Sequence, residues 1–349
     1  MPGPPTRHRG RRERGSQHIG KADDRRGIGR AGRPTARRRR RRFGDPATDP
    51  ARHALGGRGG RARPARRLRR GVGRSSGAGP QGSTKAERSP SATPSKHSPS
   101  PTPKPRPELP RGGRELSRYR LVGYCGLPGA AALGRLGVGD LEDQVRQIEK
   151  TARAYAADRE PQPVLELLAT VANSSAGPDG AYRSRTSSDT IRRFHDAAKR
   201  HRALLLLNIQ PGRASVLGEV KALREWLVHP DVGIALDPEW EMGPGEVPGN
   251  TYGHTSGKEL TDVARYLSGI VDEHDLPQKP LVFHQVAVSV VSDQSALRPQ
   301  PGVVLIKSAD GIGSPGMKRD TWRQLVRNQP EGVRTGFKLF YEEDTEGSS

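Results

Sequence analysis

Two carboxylates stand two residues apart in the run Gly233-Ile234-Ala235-Leu236-Asp237-Pro238-Glu239-Trp240. Neighbouring carboxylates repel, which raises the pKa of one of them. A carboxyl kept neutral at pH 7 can serve as general acid while its ionised partner acts as base or stabiliser. Pro238 cannot donate a ladder hydrogen bond, so the apolar strand before it must end there, with Asp237 at its C-terminal lip. Extended backbone would point Asp237 and Glu239 the same way, roughly 7 Å apart at Cα. Trp240 would offer a flat apolar face to a sugar ring. The alternative is a strand-ending turn with solvated acids and a packed tryptophan.

Other polar residues fall at the ends of apolar runs. His284 and Gln285 lie in a fifth run, Asp310 follows a sixth, and Lys338 and Tyr341 end the last, with Glu342, Glu343 and Asp344 beyond. Glu166 lies inside the second run, where an unpaired carboxylate would be costly; Lys338 is a candidate partner. Gln285, Asp310, Tyr341 and Trp240 read as substrate contacts, as do Glu166, His284 and Lys338. For each taken alone, a structural role is the stronger reading; their shared place at one rim is the argument. His254 and His284 lack metal-ligand spacing and no CxxC, HExxH or GxSxG occurs, so no metal or cofactor is expected. Cys125 with His284 could form a thiol–imidazole pair, although a small buried thiol is the stronger reading.

The elements that must position these residues alternate. Apolar runs at 120–125, 163–171, 203–209, 232–237, 280–287, 302–307 and 335–341 read as strands, several buried on both faces as in a parallel sheet. Amphipathic helices separate most of them. Asp140 caps one with Leu141, Val145, Ile148, Ala152 and Tyr155 on its apolar face. Others carry Ile191, Phe194 and Ala198; Val216, Val220, Leu223 and Leu227; Leu260, Val263, Leu267, Ile270 and Val271; and Trp322, Leu325 and Val326. This alternation implies right-handed βαβ units and an α/β fold. Its size suits a (β/α)8 barrel, TIM-like, and the seven recognised strands leave it one short. An open doubly wound sheet is the alternative. In both, chemistry sits beyond the C-terminal ends of the strands.

The 349-residue chain has a formal charge of +22, but the charge is not spread evenly. Residues 1–115 hold 32 Lys+Arg against 8 Asp+Glu, leaving the remainder at −2. All aromatics but Phe43 lie in that remainder. Residues 1–88 form an Arg/Gly/Pro-rich region with too little apolar material to offset chain entropy, and read as disordered. Residues 89–115 are a Ser/Thr/Pro-rich linker, and 116–349 the barrel-like domain. Nucleic acid is therefore not an expected partner of the folded domain, though the tail could bind polyanions in a salt-dependent way. A single cysteine excludes an intrachain disulfide. No apolar stretch is long enough to span a membrane, and no signal peptide is visible near the start.

The runs GYCGLPGAAALGRLG, PVLELLATVA, LNIQPGRA, HPDVGIALDPEW, LPQKPLVFHQ, SADGIGSPGMKRDTW and GFKLFYEED, in that order over about 119–344, resemble a family of actinobacterial exported proteins. Its members are labelled lipoproteins or cell-wall-associated proteins and carry a barrel-like domain. The resemblance implies extracytoplasmic or cell-surface placement, and it makes an upstream-misplaced start an explanation of the basic region. The Asp237-Pro238-Glu239 pair is also similar to the D-x-E that (β/α)8 glycoside hydrolases place after their fourth strand. The chitinase-like class has further aspartates where this chain has Gly233 and Ala235. The lysozyme-like class has one in its first strand, where Val122-Gly123-Tyr124 stands here.

The expected function is thus an exported carbohydrate-active hydrolase acting on polysaccharide or cell-wall glycan, with Asp237 and Glu239 as its catalytic pair. The alternatives are a non-catalytic surface domain that binds glycan at the same rim, or polyanion binding by the tail.

Overall fold

In the computed structural model the structure describes residues 105–345. The expected disordered region and most of the expected linker lie outside the described residues.

The chain alternates strands and helices as the apolar pattern requires. β1 (Tyr119–Gly126) leads to α1 (Leu141–Ala154), whose N-terminal amides at Glu142 and Asp143 donate to the Asp140 side chain. β2 (Glu160–Ala172) is followed by a short β3 (Arg183–Arg185), which pairs antiparallel with it, and by α2 (Ser188–Arg200). After β4 (Leu204–Ile209), the expected third helix is broken into α3 (Val216–Ala222) and α4 (Arg224–Leu227), hinged at Leu223. β5 (Val232–Leu236) runs through a covering loop and β6 (Thr255–Ser256) into α5 (Gly257–Glu273). β7 (Lys279–Gln285) is followed by 3-10 turns and β8 (Val291–Ser292), then β9 (Val303–Ala309), α6 (Pro315–Val326) and β10 (Arg334–Phe337). Tyr155, placed on the apolar face of α1 by spacing, instead ends that helix and is exposed.

The strands pair in the order β1-β2-β4-β5-β7-β9-β10, all parallel. The order never reverses, so the sheet winds in one direction and the doubly wound alternative is set aside. The sheet is curled. Side chains from β2 and β7 meet in its interior, and rings of Tyr124 on β1 and Tyr341 beyond β10 meet edge-on at 5.9 Å. Among the described residues no backbone ladder joins β10 to β1, so the sheet has seven parallel strands and an unpaired seam, not eight.

Strand alternation sorts residues to two faces. Leu165, Leu167, Leu205, Leu207, Ile234, Leu236, Leu281, Phe283 and Leu305 face outward and pack with the helices. Val164, Leu204, Leu206, Ala235 and Val282 face inward with Leu121, Val304 and Ile306. Leu109 and Leu116, ahead of β1, complete this inner layer. The last part of the expected linker thus packs as a plug. Arg114 donates to the carbonyls of Pro107 and Leu276, and Tyr119 Oη donates to Gly112 O. No helix among the described residues is long and apolar enough to cross a membrane.

Candidate active site

Two residues beyond the last inner apolar position of five strands, the same face turns polar. Val164 is followed by Glu166, Leu206 by Asn208, Ala235 by Asp237, Val282 by His284, and Ile306 by Ser308 and then Asp310. The apolar layer seals the lower end, and these groups occupy the C-terminal end above it.

They form one network. His284 Nε2 lies 3.0 Å from Glu166 Oε1, and Asn208 Nδ2 donates to the same oxygen at 2.8 Å. Asn208 also donates to Asp237 Oδ1 at 3.1 Å, and Gln210 Nε2 donates to Asp237 Oδ2 at 3.1 Å. On the other side of the imidazole, Nδ1 lies 3.3 Å from Asp310 Oδ2, outside hydrogen-bond alignment. Lys338 Nζ pairs with the same Asp310 oxygen at 3.1 Å, and Asp310 Oδ1 accepts from the Gly311 amide at 2.6 Å.

The charges settle one another. Burial opposes ionisation of Glu166, but the His284 and Lys338 charges outweigh it and hold the carboxyl at about 2. Burial and Lys338 oppose a charge on His284, yet Glu166 and Asp310 raise it to about 10. Asp310 is likewise held well below the usual carboxylate range despite its burial, chiefly by Lys338 and His284. Burial also opposes the Lys338 charge, which the surrounding acids hold well above the ordinary lysine value.

Glu239 behaves in the opposite way. Burial, then the fields of Asp237 and Asp310, push its carboxyl up to about 8, and its Oε2 has no hydrogen-bond partner among the described residues. The extended backbone expected from Asp237 to Glu239 is not found. The ladder ends at Leu236 and Pro238–Trp240 form a 3-10 turn, because proline at the first helical position favours a turn. The turn still leaves Glu239 within the field of Asp237.

The remaining expected residues divide. Asp237, Glu239 and Asp310 come together, but at 3%, 8% and 7% exposure they are covered, and do not line an open cleft. Glu239 O accepts from Gly253 N, and Met242 N donates to Gly212 O, so the loop after β5 is tied across the strand ends. Lys338 and Glu166 are the more exposed members of the network, with side chains 22% and 13% exposed. Glu166 finds its hydrogen bonds in His284 and Asn208; Lys338 reaches it only through its field. Gln285 is turned away from the rim: one residue after His284, it faces outward, fully buried, and donates to Ala287 O and Val288 O. Trp240 is half-buried on the turn. Tyr341 is exposed at the seam, with the Arg135 guanidinium 4.5 Å from its ring centre and 5.4 Å from that of Tyr124.

Cys125 lies opposite Glu166 in the β1–β2 register, and burial with the Glu166 charge raises its thiol pKa well above the usual value. That disfavours a thiolate and the thiol–imidazole pair. Two glycines lie in the stretches where the glycoside hydrolase patterns carry an aspartate. A Cβ at Gly233 would stand 2.6 Å from Pro280 Cγ and 2.8 Å from Pro280 O; one at Gly123 would stand 1.9 Å from Val164 O. Neither site has room for an aspartate.

Asn208 and Gln210 were not singled out in the sequence. The signal was present: an amide ending the otherwise apolar run Leu204–Leu207, and another two residues later on the same face. Asp237, His284 and Asp310 also offer ligand atoms within 4.8 Å of one another, a grouping drawn from the ends of three strands that linear spacing does not reveal. The chain matches no protein-family model, no curated protein and no solved structure.

Proposed function

We propose that the domain is a carbohydrate-active hydrolase using acid/base chemistry, with Glu239 as general acid and Asp237 as its partner. The observation that carries this reading is the contrast between the two carboxyls. Glu239 is pushed up to about 8 with a free Oε2, while Asp237 accepts from Asn208 and Gln210 just after the fourth strand of the curled sheet. A carboxyl protonated at neutral pH can deliver its proton to a glycosidic oxygen as the C–O bond breaks. Asp237 would stabilise the positive charge that develops on the sugar, and a water would complete hydrolysis and return a proton to Glu239. Asn208 and Gln210 hold Asp237 in place, and Glu166, His284, Asp310 and Lys338 act as fixed charges beside it. On the resemblance of its sequence, the domain works outside the cytoplasm on polysaccharide or cell-wall glycan.

The test is Glu239→Gln assayed against a panel of glycans. Turnover should vanish while the fold is kept; full activity on any hydrolysed substrate would refute the assignment. A second reading, a non-catalytic glycan-binding domain, is favoured by the burial of Asp237, Glu239 and Asp310. It requires glycan binding without hydrolysis, unchanged in the same variant.

A further inference from the structure

We propose that Asp237, His284 and Asp310 form a binding site for one divalent transition-metal ion, of the Mn2+ or Zn2+ class, at the C-terminal end of the sheet. His284 lies in β7 and Asp237 and Asp310 stand just beyond β5 and β9; all three are buried, with ligand atoms within 4.8 Å of one another. Atoms bound about 2.1 Å from one ion stand roughly 3–3.4 Å apart, so the group converges with shifts of about an ångström.

Two carboxylates alone would not make a site. The second observation is the unpartnered imidazole nitrogen. His284 is 3% exposed, and its Nδ1 faces Asp310 Oδ2 at 3.3 Å without making a hydrogen bond. Its other nitrogen lies 3.0 Å from Glu166 Oε1. A carboxylate behind the ring is the partner that a metal-binding histidine uses, and the ion takes the place of the proton that Nδ1 carries beside Asp310. The carboxylates are prepared too. Asp237 accepts one amide bond at each oxygen, and Asp310 Oδ1 takes the Gly311 amide. Each carboxylate oxygen has two lone pairs, so capacity for an ion remains. Two carboxylates and one imidazole suit Mn2+ or Zn2+ better than Ca2+.

Lys338 and a proton on His284 are the competitors. Lys338 Nζ shares Asp310 Oδ2 at 3.1 Å and supplies part of the positive charge an ion would bring. Lys338→Met should therefore tighten metal binding.

This proposal concerns binding and does not depend on Glu239 being the acid. The full chain, stripped with chelator, is titrated with Mn2+ and separately with Zn2+, following heat and the Mn2+ electron-spin signal. One ion per chain is expected. Asp237→Asn and Asp310→Asn should abolish saturable binding, and Glu166→Gln should weaken it about 10- to 100-fold through loss of the bond behind His284. Glu239→Gln should bind the ion as the wild type does, even where it loses turnover. Absence of stoichiometric binding by the folded wild type overturns the proposal. So does wild-type affinity in both carboxamide variants, which would place the ion elsewhere on the chain.

Discussion

His284 Nε2 lies 3.0 Å from Glu166 Oε1, although β4 and β5 stand between the strands that carry them. In a flat sheet three strand spacings of about 4.8 Å would hold those strands roughly 14 Å apart. The pair can meet only because the sheet curls and both side chains point to its concave face. It therefore reports the curvature of the fold and the charge state of the site together.

Glu166→Gln should destabilise the domain by about 3 kcal/mol, because it leaves His284 charged, buried and short of one partner. Chemical denaturation at pH 6 measures it. A loss below the error of the measurement would mean that the pair does not hold the sheet in this shape.

Glu239 sets a pH dependence of the opposite kind to a paired carboxylate. Its folded value, about 8, lies above the ordinary 4.5. The folded state therefore binds more protons between those values, and its stability contribution is full below 4.5 and lost as pH rises through 8. The difference in stability between wild type and Glu239→Gln should move by a few kcal/mol over that window, with the variant gaining on the wild type as pH rises. Parallel stability curves would contradict a buried neutral acid.

A buried lysine outside the site gives a slope of the other sign. Lys279 is fully buried at the start of β7 and donates to His229 O and Val232 O. Burial pushes it down to about 7 from the ordinary 10.5, only partly opposed by Asp231. Between those values the unfolded chain binds the extra proton, so this lysine's contribution to stability rises with pH. In Lys279→Met that rise should disappear, and thermal melts at pH 7 and pH 9.5 compared with wild type will show it.

Much of this arrangement was legible from period and punctuation. Seven apolar runs gave the seven parallel strands, and Pro238 marked the lip on which Asp237 stands. What escaped the sequence was what depends on curvature and on facing. Asn208 and Gln210 matter because the pairing of β4 with β5 sets them beside Asp237, a register that a single run does not spell out. Gln285, one residue from His284, turns to the opposite face and serves the loop at Ala287. Lys279 and Lys307 interrupt apolar strands yet are buried, because their amines find carbonyl and amide oxygens in neighbouring segments. The 3-10 turn at Pro238–Trp240 replaced the extended spacing that two-residue separation suggests, since ladder pairing had already ended at Leu236.

Gly233→Ala tests how closely β4, β5 and β7 approach on the inner face. The added Cβ would meet Pro280 Cγ at 2.6 Å, Pro280 O at 2.8 Å and Leu206 Cδ2 at 2.9 Å. Backbone and a rigid ring cannot both yield, so the expected cost is about 2–3 kcal/mol. Denaturant midpoints give the answer, and an unchanged midpoint would show that the strands have room to part there.

Tyr341 tests the seam as the route by which a sugar reaches the strand ends. Its ring is 52% exposed, meets Tyr124 edge-on at 5.9 Å and lies under the Arg135 guanidinium. An exposed ring held in place by a second ring and a cation is pre-set to stack on an apolar sugar face. Removing it should cost only about 1 kcal/mol of stability, the scale of an aromatic pair. If the proposed function holds, Tyr341→Ala should raise KM for the glycan several-fold and leave kcat nearly unchanged, while Tyr341→Phe, which keeps the ring, restores KM. Equal KM values in wild type and Tyr341→Ala, with stability reduced as expected, would confine this tyrosine to fastening the edges of the sheet and would move the entry route away from the seam.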